Sequence, residues 1–457
     1  MLKNVWTGDD NRVPLDGMSK VFRPWDVDEV WLFPASVQDF VPPGHIAHLI
    51  RETVREGLDL RAILAEYDEE RGYPPYHPGM MTALLLYAYS QGIYSSRRID
   101  RACHERVDFM AVTGLSHPDF RTISDFRKRH LKALSGLFVQ VLGLCRKAGL
   151  VKLGHVALDG TKIKANASKH KAMSYGRMKG AEEQLAAEVA EWMKKAAATD
   201  AAEDRQHGRD RCGDELPDWV ANKERRLAKI REAKAALEAE AQTAVSAPGE
   251  GADSAAPAQR GRKPPPPSGV PEDKAQRNFT DPESRIMKTK DGFVQGYNAQ
   301  AAVDAQHQII VACDLTNRGT DCPQLLPLVD QIKANTEALP QQVSADAGYA
   351  SDDNLKGLEE REIDGFVAAG RQKHGTAAPA AGKAKQGSRL AAMAQKIAGQ
   401  GHDSPYRLRK QTVEPVFGQI KQARGFRQFL LRGLEKVKEE WVLVCAAHNL
   451  LKLAAFG

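Results

Sequence analysis

Three acidic residues are candidates for chemistry because each lies in a pattern that places it in a predicted element. Asp159 follows the apolar run Val156–Leu158, Asp346 ends a second short apolar run, and Glu414 lies on a predicted helix. Carboxylate oxygens are the ligands that Mg²⁺ prefers in proteins. Two such ions about 4 Å apart activate a water or 3′-hydroxyl at a phosphodiester and stabilise the leaving oxygen. The three acids therefore predict a two-metal phosphoryl-transfer site, provided that the fold brings them together.

The helix around Glu414 is predicted from one apolar stripe at helical spacing, formed by Val413, Val416, Phe417 and Ile420. Thr412 is a suitable N-cap, and Pro415 then falls in the first turn, where no backbone donor is needed. In that position Glu414 also faces the positive end of the helix dipole. Lys421 lies about 10 Å further along the axis on the same side. The alternative is a surface glutamate and lysine on an ordinary amphipathic helix.

Asp159 likewise has a second interpretation, because Asp-Gly is also a common β-turn pair. After Asp159-Gly160 the sequence alternates, which places Lys162 and Lys164 on one face of a strand. These lysines are either ordinary surface residues or phosphate ligands beside the predicted metal site.

Basic residues are concentrated near the C-terminal end. From Pro405 to Gly457 ten Lys and Arg stand against four Glu, and the difference of six equals the formal net charge of the whole chain, +6. A basic region indicates either a polyanionic partner or a solvated surface. The residues that crowd around Glu414 are Arg407, Arg409, Lys410, Arg424, Arg427 and Arg432.

A second basic region lies in the N-terminal third, where the pattern is helical. Arg97 and Arg98 lie on one predicted helix, and Arg127 and Lys128 end the next, which opens with a capping-box-like pair, Thr122 and Asp125. Two short capped helices with basic faces fit a helix-turn-helix DNA reader or, slightly better, a helical bundle with a solvated face.

Composition indicates the compartment and the class of protein. At 457 residues the chain is long enough for two or three domains. Its six cysteines form no CxxC pair, which predicts reduced core thiols rather than a zinc site or a disulfide framework. We expect a soluble intracellular protein without a signal peptide or a membrane span.

The order of the predicted elements gives a domain scheme. Residues 1–150 form an all-α domain, opened by an arm with Trp6, Trp25 and Trp31, and residues 151–457 form a domain with a mixed sheet flanked by helices. Residues 171–285 interrupt that domain as a helical hairpin, with a linker that contains Pro264–Pro267.

With the acids in the order Asp159, Asp346, Glu414, the chain resembles a DDE transposase of a bacterial insertion sequence. The motifs that carry the resemblance are Leu158-Asp159-Gly160-Thr161, Gly296-Tyr297-Asn298 with Gln300 and Val303-Asp304, Ala345-Asp346-Ala347-Gly348-Tyr349 and Val413-Glu414-Pro415-Val416-Phe417-Gly418. The helical region resembles the N-terminal domain of that family through His77-Pro78, Gly92–Arg98 and Thr122–Arg127. Part of the family carries a Tyr-x2-Arg-x3-Glu-x6-Lys signature. Here Glu414 and Lys421 match it, Lys410 stands at the arginine place, and Arg407 stands at the tyrosine place with Tyr406 beside it.

The resemblance implies an α/β ribonuclease-H-like catalytic domain, in which Asp159, Asp346 and Glu414 bind two Mg²⁺ ions, with Mn²⁺ as a substitute. It implies cleavage at transposon ends, transfer of the freed 3′-hydroxyl to target DNA, assembly as a homodimer or larger complex on DNA, and a cytoplasmic, nucleoid-associated location. The expected DNA-binding residues are Arg97, Arg98, Arg127, Lys128, Lys162, Lys164, Lys410, Lys421, Arg424 and Arg427. The alternatives are a metal-dependent nuclease of the same fold that does not join DNA, and a catalytically silent DNA-binding protein.

Overall fold

A computed structural model describes residues 36–67, 74–207, 218–246, 269–289, 292–370 and 387–456. The chain divides into two compact units. Unit 1 contains the residues up to Lys164 and those from Tyr297 onward, and unit 2 contains Ala165–Gly296. The predicted arm with Trp6, Trp25 and Trp31, the prolines 264–267 and Cys212 lie outside the described residues.

Before the first strand, the described part of unit 1 consists of helices and their connections. The α-helices are α1 (Ile46–Glu52), α2 (Arg61–Leu64), α3 (Pro78–Ser90), α4 (Ser96–Glu105), α5 (Val107–Thr113), α6 (Phe120–Arg129) and α7 (Leu131–Lys147). Helix α3 opens at the His77-Pro78 motif, where His77 Nδ1 accepts from the Gly79 N–H (3.1 Å) and Pro78 occupies the first turn. All of α3 is buried, so it is a central helix of this unit.

Helix α6 begins two residues before the predicted capping pair. Asp119 is its N-cap, and its Oδ1 accepts from the N–H groups of Arg121 (2.7 Å) and Thr122 (2.9 Å). The prediction that Thr122 and Asp125 cap this helix was therefore wrong. The carboxylate of Asp119 is the stronger acceptor, and it already satisfies two of the free backbone donors.

Unit 1 then builds a mixed sheet. Its strands are β1 (His155–Lys164), β5 (Gly292–Asp304, from Tyr297 onward in this unit), β6 (Ile310–Thr316), β7 (Gln342–Ala345) and β8 (Asp364–Val367). The order across the sheet is β6-β5-β1-β7-β8. Strands β5 and β6 are antiparallel, whereas β1, β7 and β8 are parallel. The parallel strands place their carboxyl ends at one edge, where ligand sites of such sheets form.

Helices pack on this sheet. They are α10 (Leu325–Thr336), α11 (Asp352–Glu359), α12 (Arg389–Gln400), α13 (Leu408–Gly418) and α14 (Leu434–Phe456). Helix α14 is fixed to the sheet by polar as well as apolar contacts. Trp441 donates to the Gln300 carbonyl (3.0 Å), and the Asn449 amide bonds both the N–H (2.9 Å) and the carbonyl (2.8 Å) of Ile310. These buried bonds fix the position of α14 along the sheet because breaking them would leave polar groups unsatisfied.

Unit 2 is built around two long helices. Its elements are β2 (Ala172–Ser174), α8 (Tyr175–His207), α9 (Asp218–Ser246), β3 (Gln276–Asn278) and β4 (Arg285–Thr289). Strands β2 and β3 form a two-stranded antiparallel sheet, and β4 pairs with residues 292–296 of β5. The apolar core of the unit consists of Tyr175, Met178, Ile230, Ala233 and Leu237.

The described cysteines are free thiols, and those at 103, 145, 313 and 445 are buried, as predicted for core residues. Among the helices that the structure describes, none combines the length and apolarity needed to span a membrane.

Candidate active site

Two of the predicted acids lie on adjacent parallel strands. The pairing of β1 with β7 sets Leu158 opposite Ala345, so the next residues, Asp159 and Asp346, leave the two strands side by side. The apolar run before Asp159 suggests that the strand ends there, but β1 continues through this residue to Lys164. It does lie at the end of the segment that pairs with β7. Asp346 caps the following turn, and its Oδ1 accepts from the Gly348 N–H (2.8 Å).

The third acid is linked to the first by an arginine. Arg409 Nη1 contacts Asp159 Oδ2 at 2.9 Å, and Arg409 Nη2 contacts Glu414 Oε1 at 3.4 Å. The arginine and Asp159 side chains are only 11% and 17% exposed, whereas Glu414 is 49% exposed. The structure therefore brings a strand acid and a helix acid to one guanidinium, although 255 residues separate them (414 minus 159).

Electrostatics shows that Asp346 belongs to the same cluster. The pKa of Asp159 is raised to about 7, mainly by burial and in addition by the charges of Asp346 and Glu414, against the opposing effect of Arg409. Burial also acts to lower the pKa of Arg409, but Asp159, Tyr406, Asp346 and Glu414 outweigh it and raise that pKa. Repulsion between close carboxylates explains the contributions of Asp346 and Glu414, which add to the larger effect of burial on Asp159. The acids of the cluster therefore carry more negative charge than Arg409 balances.

A fourth acid, Asp321, lies beside the cluster and was not predicted from the sequence. Its Oδ1 accepts from Asn298 Nδ2 (2.6 Å), Gln300 Nε2 (2.8 Å) and Lys162 Nζ (3.2 Å). The Gly296–Gln300 motif marked two of these partners, but Asp321 itself follows β6 in a segment without a recognisable pattern. We interpret Asp321 as the residue that positions Lys162 and the two amides.

Gly160 is required for this packing. A Cβ at that position would lie 2.4 Å from Gln300 Nε2 and 2.6 Å from Asp321 Oδ1, two atoms already joined by a hydrogen bond. A side chain there would separate the amide from Asp321. Glycine next to Asp159 thus reflects close packing rather than the turn that the Asp-Gly pair also suggested.

The helix that carries Glu414 begins earlier than predicted. Helix α13 starts at Leu408, so Thr412 is not its N-cap, and the Thr412 hydroxyl donates to the Leu408 carbonyl (2.7 Å). Pro415 lies inside the helix and leaves the Gln411 carbonyl without its usual N–H donor. The Gln308 side chain supplies that donor instead (3.0 Å). Glu414 is therefore in the middle of the helix, where Arg409 rather than the helix dipole neutralises it.

Helix α13 continues into a π-helical segment, Gln419–Ala423, which carries Lys421. Single π turns are frequent at functional sites. Lys421 Nζ donates to Thr161 Oγ1 (2.9 Å) and to the Lys162 carbonyl (3.4 Å) on β1. The glutamate and the lysine of the predicted signature thus both reach the strand that holds Asp159.

The predicted DNA-binding residues differ in accessibility. Arg97, Arg98, Lys128, Lys164, Lys410 and Arg427 are exposed, and Lys162 and Lys421 are half-buried at the acid cluster. Arg127 is 5% exposed and donates to the Tyr94 carbonyl (2.9 Å), while Arg424 donates to His448 Nδ1 (3.0 Å) and is largely buried. These two arginines face protein groups, so their guanidinium groups are not available to DNA in this structure.

The signature around Glu414 is shifted by one residue. Arg409, not Lys410, contacts the acids, and its guanidinium lies 5.9 Å from the ring centre of the buried Tyr406. Tyr406 and Arg409 keep the Tyr-x2-Arg spacing of the signature, with one extra residue before Glu414. Counted back from Glu414, the signature falls on Lys410 and Arg407 instead, because of that extra residue.

The residues of the cluster fit a hard divalent cation by their chemistry, since Asp159, Asp346 and Glu414 all present carboxylate oxygens. Within the described residues no group of three or more acidic, histidine or cysteine side chains is close enough together to hold a metal ion. Arg409 already supplies positive charge to two of the carboxylates. The donor atoms are therefore of the type that a divalent cation prefers, while in this structure the Arg409 guanidinium balances part of their charge.

Comparison with known families identifies the class of protein. Residues 255–450 match the family described as transposase DDE domain, and residues 35–129 match the transposase domain DUF772. The chain belongs to the DDE transposases. No curated protein and no solved structure matches it.

In this transposase the first match contains Asp346, Glu414 and Arg409, while Asp159 lies before it. The second match contains α1 to α6. The transposase family acts on DNA, and the mixed α/β architecture is compatible with a ribonuclease-H-like domain.

Proposed function

We propose that this transposase cleaves DNA at the ends of its element and joins the freed 3′-hydroxyl to target DNA. The observation that carries the proposal is the meeting of Asp159 and Glu414 at Arg409, with Asp346 on the adjacent strand. Acids on neighbouring parallel strands and on a packed helix are the arrangement that two-metal phosphoryl transfer requires. The strand order β6-β5-β1-β7-β8 supports a ribonuclease-H-like assignment for this part of the chain.

When bound, divalent cations held by Asp159, Asp346 and Glu414 would activate the attacking oxygen and stabilise the leaving one. In cleavage, a water oxygen forms a bond to phosphorus, the bond from phosphorus to the 3′-oxygen breaks, and the released strand ends in a 3′-hydroxyl. In joining, that hydroxyl attacks a target phosphodiester and displaces the target 3′-oxygen. In each displacement the attacking oxygen loses its proton to solvent, and the departing 3′-oxygen takes one up. Neither step needs a covalent protein intermediate.

The chain's own cations would hold the DNA backbone during these steps. The Lys421 ammonium contacts the Thr161 hydroxyl and the Lys162 ammonium contacts Asp321, so both cations lie beside the acid cluster, where they would bind phosphates that flank the scissile bond. Exposed Arg97, Arg98, Lys164, Lys410 and Arg427 extend the basic surface of unit 1. We propose that the protein works as a homodimer or larger assembly on DNA, in the bacterial nucleoid.

The test combines the protein, a labelled duplex with the element's end, a supercoiled target plasmid and Mg²⁺ or Mn²⁺. The proposal predicts a strand cut with a 3′-hydroxyl and a joined product, both absent with EDTA and with the isosteric variant D159N. Cutting without joining would support the nuclease alternative. DNA binding without either product would support the catalytically silent protein.

A further inference from the structure

Unit 2 contains a concave pocket with a volume of about 790 Å³ that is strongly basic. Five of its lining side chains are cationic, namely Lys171, Arg177, Arg225, Arg226 and Lys229, and His170 lies among them. None of the lining residues, all within the described part of unit 2, is acidic. The function of this unit is not accounted for by the acid cluster in unit 1.

The pocket is built by elements with fixed positions. Arg225, Arg226 and Lys229 lie on α9, where their spacing, together with that of Asn222, places them on one face of the helix. Lys171 belongs to the turn before β2, and Arg177 lies in the first turns of α8. The cations therefore converge from three segments of the chain rather than following one solvated helix face.

The floor of the pocket is apolar and rigid. Ile230 is 1% exposed and belongs to the core of unit 2, and Phe279 packs against that core. A core-anchored floor holds the cations around one cavity. Such a floor also offers an aromatic face to a sugar or base.

The cations of the pocket differ from the other cations of unit 2 in their pairing. Elsewhere in the unit the ion pairs are Lys179–Asp273 (3.2 Å), Lys223–Glu188 (2.6 Å), Arg231–Glu182 (3.0 Å), Lys234–Glu182 (2.8 Å), Arg277–Glu240 (2.5 Å) and Arg285–Glu240 (3.0 Å). In the described residues, none of the five pocket cations forms an ion pair. Like charges that converge without a counter-charge repel, and an external anion relieves that repulsion.

We infer that this pocket binds the sugar–phosphate backbone of DNA. A single phosphate would leave most of the five cations unbalanced, whereas successive phosphates of a strand match several cations at once. Phosphate contacts position a nucleic acid without reading its sequence. The pocket would hold DNA independently of the acids that cut it.

The test measures how DNA affinity depends on salt, using the full chain and a labelled duplex of about 30 base pairs of arbitrary sequence. The pocket variant is R225Q/K229Q. Its matched control is R231Q/K234Q, which removes one arginine and one lysine from the same helix, where both pair with Glu182. Thermal melting of both variants checks that each is folded, and R226Q provides a second pocket variant.

The slope of log affinity against log salt changes by about 0.9 for each phosphate that the protein no longer neutralises. We expect the slope of R225Q/K229Q to become shallower by about two, that of R226Q by about one, and that of the control to stay unchanged. The affinity at low salt should fall at least about fivefold for the pocket double variant only. Equal slopes in pocket and control variants would overturn the inference.

A competition arm separates DNA from a small phosphate ligand. The inference predicts that ATP displaces labelled DNA only at concentrations where inorganic phosphate does the same. Saturable ATP binding that is lost in R225Q/K229Q, with unchanged DNA affinity, would overturn it in favour of a nucleotide site. Because the readout is binding, failure here leaves the proposed cleavage activity untouched, and failure of cleavage leaves this test valid.

Discussion

The two charged regions of this transposase balance their charge in opposite ways. In unit 1 the acids Asp159 and Glu414 share a cation from their own chain, Arg409. In unit 2 the basic pocket around Arg225, Arg226 and Lys229 has no carboxylate among its described lining residues. The negative charge of the acid cluster is therefore partly balanced without a ligand. The positive charge of the pocket is balanced only by an external polyanion.

The largest expected effect comes from removing a carboxylate without changing its shape. In D346N the amide oxygen can still accept from the Gly348 N–H, so the turn after β7 should hold. The variant should lose cleavage by at least about 10³-fold. Its thermal stability without metal should be unchanged or raised, since one member of a repelling cluster is gone. Single-turnover cleavage and thermal melting measure the two effects. A large loss of thermal stability in D346N would mean that Asp346 has a structural role and would refute this assignment.

Removing the built-in cation should cost stability. R409Q leaves Asp159 and Glu414 without their guanidinium, and loss of one partner from a largely buried pair costs about 3 kcal/mol. Urea unfolding in EDTA should show this loss, with R407Q at an exposed position as the control. Mg²⁺ should stabilise R409Q more than the wild type. Equal responses to Mg²⁺ would show that Arg409 does not balance the metal-binding acids.

Glu440 is a carboxyl group that lies fully inside the core. It accepts from the N–H groups of Leu430 and Leu431 at 3.1 Å. Burial raises its pKa from 4.5 to about 7, against the opposing effects of Leu431, Arg127 and Leu430. As the pH rises from 4.5 towards 7, the unfolded chain releases this proton while the folded chain keeps it, so stability falls across that window.

In E440Q this contribution, on the order of 2–3 kcal/mol, should disappear from the pH dependence of unfolding between pH 5 and 7. The exposed change E435Q should retain the wild-type slope. Urea midpoints at several pH values decide the matter. A wild-type slope in E440Q would mean that Glu440 does not titrate in this range.

The smallest expected effect concerns the stability of the pocket. R225Q/K229Q removes two cations that repel their neighbours, so in low salt it should leave the free energy of unfolding unchanged or raise it by less than about 1 kcal/mol. R231Q/K234Q breaks pairs with Glu182 and should lower it by a similar small amount. Changes of opposite sign in the free energy of unfolding would support the distinction between unpaired pocket cations and paired cations. Equal destabilisation by both variants would contradict it.

Much of the fold could be predicted because long apolar periodicities fix whole elements. The predicted apolar stripe of Val413, Val416, Phe417 and Ile420 is confirmed as the buried side of α13 and of the segment that continues it. Their burial follows from local spacing alone. The start of α13 could not be predicted in this way, because the Gln308 side chain stabilises it from a distant part of the chain.

The same limit applies to the site. The acids were selected from local motifs, but the choice between Arg409 and Lys410 depends on where α13 begins. Asp321 lies in a segment without a pattern, and its position follows only from Asn298, Gln300 and Lys162 around it. For Arg127, the basic cluster at the helix end suggested an exposed side chain. The structure instead buries Arg127, which donates a hydrogen bond to the Tyr94 carbonyl. Long-range interactions decide all of these positions.

Single-turnover cleavage of saturating end DNA in Mg²⁺ tests most directly whether Glu414 is the third catalytic acid. It compares E414Q with the exposed change E435Q. Glutamine at 414 keeps the length of the side chain and leaves Val413, Val416 and Phe417 packed, so DNA affinity and melting temperature should stay close to those of the wild type. We predict that E414Q neither cuts nor joins DNA, while E435Q does both at the wild-type rate. Appreciable cutting by E414Q would show that Glu414 is not the third catalytic acid.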